Sequence, residues 1–410
     1  MTRDVRMRGF RDRVELPEVL RLIDERVAPL PSEEMPLHAA FGRVLAQDVV
    51  APVAVPGFDR SAMDGYAVRA GETFGAEPYQ PVELRVVGES FPGRPFPGCV
   101  GPGEAVRIMT GAPLPAGADA VVPAELADDE AGRLRVREAV PPGRHVGRVG
   151  EDIAAGSVVL RAGRRLRPQD LGILASIGVS SVRVVRRPTV ALLITGDELL
   201  PCGSRPEGFR IVDSNSIMLA ALVSRDGGQP SAPVLLADNA DTIRAALTAA
   251  TEDVILVSGG SSVGQEDHAP RVLGEVGELG VHGVALRPAS PSGVGFLQHR
   301  PVFLLPGNPV SCLCAYDLFA GRAIRRLGGR PVDLPYRTRR LPLRRKIVSA
   351  IGRVDYVRVC LAGDAVEPLA VSGASLLSTT TRADGFVLVP GDREGHAEGE
   401  EVEVYLYDPP

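Results

Sequence analysis

Several loops in the second half of this sequence place polar chemistry directly after apolar runs. The run 254-VILV-257 opens into 258-SGGSSVGQED-267, a glycine–serine loop that closes on two carboxylates. Glycines let backbone N–H groups approach an anion closely. The loop lacks the lysine of a GxxxxGK[ST] phosphate loop and is no clean GxGxxG, so alone it reads equally well as a tight strand-to-helix turn. The run 190-VALLI-194 opens into 195-TGDEL-199, where Asp197 and Glu198 suit either a helix start or a cation. Asp238 follows 234-VLLA-237, and 302-VFLL-305 opens into 306-PGNPVS-311, a proline-framed turn presenting Asn308. Crowded carboxylates repel, and a hard divalent cation such as Mg²⁺ relieves that repulsion while gripping phosphate oxygens. Asp197, Glu198, Asp238 and Asp267, beside a loop of Ser258, Gly259, Gly260, Ser261, Ser262 and Gly264, therefore point to a magnesium–phosphate ligand.

The elements that must hold these loops are legible in the spacing. Apolar runs at 190–194, 234–237, 254–257 and 302–305 alternate with helical patterns at 215–227 and 241–251. Nearly continuous apolar strands between helices predict a parallel sheet covered on both faces, an α/β/α sandwich. In such sheets ligands bind beyond the carboxyl ends of the strands, where these loops lie. Residues 16–28 carry helical spacing with Pro17 in the first turn, and 167–179 is a short helix closed by Gly178. From about 50 to 143, short alternating runs punctuated by Pro and Gly predict a compact β domain, and 332–410 alternates again as a small β barrel or sandwich.

Composition narrows the function classes. The 410 residues are too many for one ordinary core, and 44% hydrophobic with 24% charged residues fits a soluble globular protein. No apolar run reaches membrane-spanning length, and the charged N-terminus carries no secretory pattern. A net charge of −5 disfavours a nucleic-acid partner. Five scattered cysteines and unclustered histidines predict reduced thiols in the cytoplasm and no transition-metal site. Lys346 is the single lysine among 46 basic residues, a skew that makes arginine-for-lysine replacement weak evidence of special chemistry.

Polar loops also occur in the β region. The stretch 56-PGFDRSAMDGYAV-68 contains Asp64, and 107-RIMTGAPLPAGADAVV-122 contains Thr110. These two motifs, with VGEDI (149–153), TGDEL, SGGSSVGQEDH, LPGNPVS and, more loosely, SGASLLSTTTRADGFVLVP (372–390), closely resemble the molybdopterin molybdenumtransferase family, in order and over almost the whole chain. The resemblance implies a multi-domain α/β plus β protein in four parts. These are an elongated dimerisation region (1–50 and 144–186), an inserted mainly-β domain (51–143), a three-layer α/β/α molybdopterin-binding domain (187–331) and a C-terminal β barrel (332–410). It implies a homodimer with its active site at the subunit interface, between the α/β domain of one chain and the inserted domain of the other. The implied reaction is Mg²⁺-dependent insertion of molybdate into adenylylated molybdopterin with release of AMP, and the implied upstream partner is a molybdopterin adenylyltransferase.

Carried over by position, the family's functional residues fall on Asp64, Thr110, Asp152, Glu198, Asp238 and Asp267, with Pro306, Gly307, Asn308 and Pro309 in the turn. Glu198 and Asp267 are the expected Mg²⁺ ligands. The family's basic strip, Lys-Val-Ala-Met/Ile-Lys-Pro-Gly-Lys-Pro, reads 283-GVALRPASP-291 here, so its lysine positions become Gly283, Arg287 and Ser290. Arg287 is expected to keep its charge for an oxyanion, while two positive charges are lost, with Arg60 or Arg271 as candidate replacements. Two other readings accompany the active enzyme. One is a weakened paralogue that binds pterin or nucleotide as a scaffold or regulatory partner; the other is a molybdopterin adenylyltransferase, against which SAMDGYAV and the inserted domain argue.

Overall fold

The computed structural model describes residues 13–260, 268–370 and 376–407. The chain forms two compact units, residues 34–184 and residues 1–33 with 185–410.

The 34–184 unit is built on a six-stranded sheet. Its spatial order is Ala120–Pro123, Gly65–Val68, Glu104–Ile108, Val82–Ser90, Arg133–Val136, Ala127–Glu130. Only Val82–Ser90 and Glu104–Ile108 pair in parallel; the other neighbours are antiparallel. The glycine of SAMDGYAV is a packing requirement, because a Cβ on Gly65 would sit 2.0 Å from the Val122 carbonyl oxygen. A second apolar cluster, including Leu45, Leu166, Leu174 and Ile177, gathers around the helix Pro168–Ser176. Asp170 anchors that helix start by accepting from the Arg167 backbone N–H at 2.9 Å and from the Arg164 and Arg167 guanidinium groups. These contacts hold its carboxyl well below the usual range even though burial opposes the shift.

The second unit contains a seven-stranded sheet. Thr189–Thr195 is flanked in parallel by Gln229–Pro230, Val234–Leu236 and Val254–Ser258, and Val254–Ser258 pairs in parallel with Arg300–Leu305. Alternate residues serve the two faces: Val190, Leu192 and Ile194 enter one core cluster, Ala191 and Leu193 the other. Helices Leu16–Arg26 and Asn215–Arg225 cover the first face through Val19, Ile23, Leu219 and Val223. Helices Ala240–Ala249 and Ala269–Val276 cover the second through Ile243, Leu247, Val272 and Leu273. The N-terminal helix thus belongs to this unit.

The sheet is not parallel throughout, which corrects the expectation from sequence. Gly293–Leu297 and Glu278–His282 are antiparallel additions at its far edge. Leu297 pairs with Arg300, leaving only Gln298 and His299 as the turn, with Gln298 at φ +60°. A two-residue hairpin can join only antiparallel strands. With no Asn-Gly or Asp-Gly to mark it, 293-GVGFLQHRPVFLL-305 conceals two strands.

The C-terminal sheet runs Leu286–Arg287, Val354–Leu361, Gly385–Val389, Glu401–Leu406, Arg337–Pro342, with Val366–Ala370 also paired to Val354–Leu361. Its outer strands meet again where Leu343 bridges Val366. Phe386 stacks between Tyr356 and Tyr405, at 4.0 and 4.9 Å between ring centroids. Residues Leu286 and Arg287 pair in parallel with Val354 and Asp355, so the family's basic strip is a strand of the C-terminal sheet.

Candidate functional site

The parallel register sets three strand ends level: Ile194 is paired with Ser258, and Ser258 with Leu305. Beyond those ends lies a cavity of about 860 Å³. Its floor is the junction of two loops. Asn215 donates from Nδ2 to Ser258 Oγ at 3.0 Å and to the Gly307 carbonyl at 2.8 Å, tying the SGG and PGNP loops together. Gly259 and Gly260 adopt φ of +97° and +55°. A Cβ on Gly259 would lie 2.3 Å from the Thr195 carbonyl oxygen, so this turn accepts glycine only. Asn308 precedes the helix Pro309–Ala315 and lines the cavity with an exposed side chain.

One wall is acidic. Glu198, Asp213 and Asp238 line it. The Asp238 backbone N–H donates to Asp197 Oδ1 at 3.1 Å. Burial, and then the charges of Glu198 and Asp197, raise the Asp238 carboxyl above its ordinary value. Its Oδ1 is buried without a hydrogen-bond partner, as is Thr195 Oγ1 nearby. Among the described residues, no three His, Cys, Asp or Glu side chains converge to hold a metal by themselves. Asp267, Ser261, Ser262 and Gly264 lie outside the described residues.

The basic lining differs from the expected one. Arg287 is not free to meet an oxyanion, because its guanidinium pairs with the buried carboxylate of Asp355. The in-register pairing of the two residues forces that contact. Ser290 lines the cavity, but its hydroxyl donates to the Val284 carbonyl at 3.0 Å. Of the suggested replacements, Arg271 pairs with Glu275 at 2.8 Å and does not line the cavity, and Arg60, in the 34–184 unit, lies 3.8 Å from Glu151. The positive charge comes instead from Arg13, Arg353 and Arg358.

Arg358 was not singled out by sequence reasoning, and it is the most telling of the three. It is 3% exposed, and its Nε and Nη1 are buried without a hydrogen-bond partner. Among the described residues it makes no ion pair, and burial pulls its pKa below the usual arginine value. A buried guanidinium without an anion is costly, so a residue in this state beside a cavity marks an anion site. The available signal was an arginine inside the otherwise apolar strand 356-YVRVCL-361. Arg353, 3.5 Å from Asp355, shares that carboxylate with Arg287. Cys312, buried behind Ser258, carries no chemistry of this kind: burial pushes its thiol up to about 12.

In the 34–184 unit, Thr110 and Asp64 are brought together by the pairing of Gly65 with Ile108. Asp64 Oδ1 accepts from the Thr110 N–H and hydroxyl, each at 2.7 Å, and these bonds lower its pKa. The third motif joins through Asp59, which accepts from the Arg148 guanidinium at 2.6 Å and the Val149 N–H at 2.9 Å. Asp152 is exposed, and only its backbone is engaged, donating to the Val55 carbonyl at 3.1 Å.

Residues 14–178 match the family description "MoeA N-terminal region (domain I and II)", 191–326 the "Probable molybdopterin binding domain", and 340–407 the "MoeA C-terminal region (domain IV)". A molybdopterin molybdenumtransferase 2 of Mycobacterium tuberculosis is 37% identical over 94% of this chain and 97% of its own length. A molybdopterin molybdenumtransferase of Haemophilus influenzae is 33% identical over 94% and 96%. The crystal structure of a molybdopterin biosynthesis MoeA protein from Pyrococcus horikoshii superposes with a TM-score of 0.84 at 34% identity, covering 97% of this chain and all of that one.

Proposed function

The chain belongs to the MoeA family, and on that premise we propose that it inserts molybdate into adenylylated molybdopterin, in a Mg²⁺-dependent reaction that releases AMP. The observation that carries this reading is one cavity lined by both carboxylates and arginines, among them Arg358, which is buried and has no ion pair among the described residues.

The residues present fit a divalent cation. Burial and the neighbouring charges of Glu198 and Asp197 raise the Asp238 carboxyl, and a divalent cation would relieve that crowding. Glu198 and Asp238 would hold it, with Asp267 as the expected third carboxylate. One or two carboxylates plus substrate phosphates are a usual Mg²⁺ environment. When bound, the cation neutralises pyrophosphate charge and polarises the bond to AMP.

The protein's own groups do the rest. The Gly259–Gly260 turn admits the nucleotide backbone closely, Asn308 offers an amide to it, and Arg358 holds the incoming oxyanion. Preorganised charge of this kind, away from bulk water, stabilises charge as it develops.

The proposed assembly is a homodimer. Its support in this chain is a set of exposed apolar side chains in the 34–184 unit, including Phe41, Val50, Val53 and Val158, of which Val50 and Val158 are cross-strand partners. In that assembly the partner chain brings Asp64, Thr110 and Asp152 to the pterin nucleotide, which an upstream adenylyltransferase supplies.

The test gives the purified chain adenylylated molybdopterin with Mg²⁺ and follows AMP release as molybdate is added. Molybdate-dependent release supports the proposal. Binding of the nucleotide without such release favours the scaffold reading.

A further inference from the structure

The basic strip 283–291 carries one charge, Arg287, and Asp355 occupies it. Yet the cavity it borders is lined by three other arginines, one of which arrives from outside both sheets. Val14 pairs with Val284 in parallel: its N–H donates to the Gly283 carbonyl at 3.0 Å, and its carbonyl accepts from the Ala285 N–H at 2.9 Å. Val14, two residues before the first helix, is therefore bridged onto the strip. Gly283 stands at φ +94°, a conformation side chains rarely adopt, so the contact is made against bare backbone.

This pairing fixes where the neighbour of Val14 must lie. Arg13 lines the cavity beside the strip, and among the described residues it has no ion pair and no hydrogen bond. Arg287 and Arg353 both contact the carboxylate of Asp355, whereas Arg358 and Arg13 contact no carboxylate among the described residues. Arg358 is buried within its strand; Arg13 is exposed, one residue from the Val14 bridge.

We propose that Arg13 is an anion-binding residue of this cavity, supplied by the N-terminal arm and acting with Arg358 on a tetrahedral oxyanion. The inference rests on the functional reading above, and it names which part of the chain supplies charge that the strip lacks. A guanidinium presents a planar fork suited to two oxygens of one oxyanion. Two sources share this chemistry: the phosphate of the nucleotide and free molybdate.

The experiment is calorimetric titration of the full chain with molybdate alone and with AMP alone. Wild type is compared with Arg13→Gln, Arg13→Lys and Arg358→Gln, and Arg21→Gln on the exposed face of the first helix serves as control. The backbone bonds of Val14 survive in both Arg13 variants, so thermal melting should match wild type. Arg13→Gln should weaken one of the two ligands about tenfold, and that ligand identifies the source. Arg13→Lys should recover part of the loss, and Arg21→Gln none of it. Unchanged binding of both ligands by Arg13→Gln, while Arg358→Gln loses affinity, would overturn the role of Arg13 and leave the functional reading standing. Failure of wild type to bind either ligand would overturn both.

Discussion

Thr110 gives both its backbone N–H and its hydroxyl to a single carboxylate oxygen, Asp64 Oδ1, each at 2.7 Å. The two residues are 46 positions apart in sequence, and the pairing of Gly65 with Ile108 makes them neighbours. Both bonds favour the ionised acid and lower its pKa. The stabilisation is therefore present above the unfolded value of 3.8 and is lost as pH falls through the lower folded value. Asp64→Asn should slow AMP release on the order of a hundredfold. Its melting temperature at pH 7 should stay within a few degrees of wild type, because the carboxylate is exposed. Normal turnover would remove Asp64 from the site.

Arg358 should show the reverse relation between stability and function. Its guanidinium is buried and has no ion pair among the described residues, so replacing it with an apolar side chain of similar length removes a desolvation penalty. Arg358→Met should unfold at higher denaturant than wild type, by about 1–3 kcal/mol. Added molybdate should raise the melting temperature of wild type and leave that of the variant unchanged. A destabilised variant that still responds to molybdate would contradict the anion site.

Asp238 gives a pH signature. Its folded pKa is raised, chiefly by burial, so the unliganded protein bears a penalty that appears as pH rises from 3.8 through the folded value. Asp238→Asn should therefore be more stable than wild type at pH 7 without divalent cation, and the difference should vanish near pH 3. In wild type, Mg²⁺ should bind more weakly as pH falls through the raised value, since the proton competes for the same oxygen. Melting curves across pH, with and without Mg²⁺, test both statements.

Gly65 separates packing from chemistry. A Cβ there would overlap the Val122 carbonyl oxygen at 2.0 Å, in the middle of a sheet where neither strand can retreat. Gly65→Ala should cost about 3 kcal/mol or more, seen as a lower unfolding midpoint. The result expected for Asp64→Asn, one residue earlier, is the opposite: activity lost and stability kept.

The strand ends were readable because a buried parallel strand is apolar along its whole length, and the polar residue that ends it stands out. That logic located Glu198, Asp238, Ser258 and Asn308 around one cavity. It could not see the hairpin at Gln298 and His299, whose turn lacks the usual glycine. Nor could it find the basic wall. Arg353 and Arg358 come from the C-terminal sheet, and Arg13 from an arm paired to Val284, so all three depend on contacts across long separations. Arg287 had the opposite fate: a residue with a suitable charge at the family position is matched by Asp355, 68 positions later. Residue type and spacing reveal candidates, but whether a charge is already satisfied is decided by tertiary pairing.

The central claim is that this cavity joins an oxyanion to a nucleotide-activated pterin. The direct measurement is AMP release from adenylylated molybdopterin, with Mg²⁺ fixed and molybdate varied, for wild type and Arg358→Gln side by side. Wild type should release AMP only when molybdate is present, and Arg358→Gln should need at least about tenfold more molybdate for half-maximal release. AMP release that ignores molybdate, or the same half-saturation in both proteins, would contradict the account.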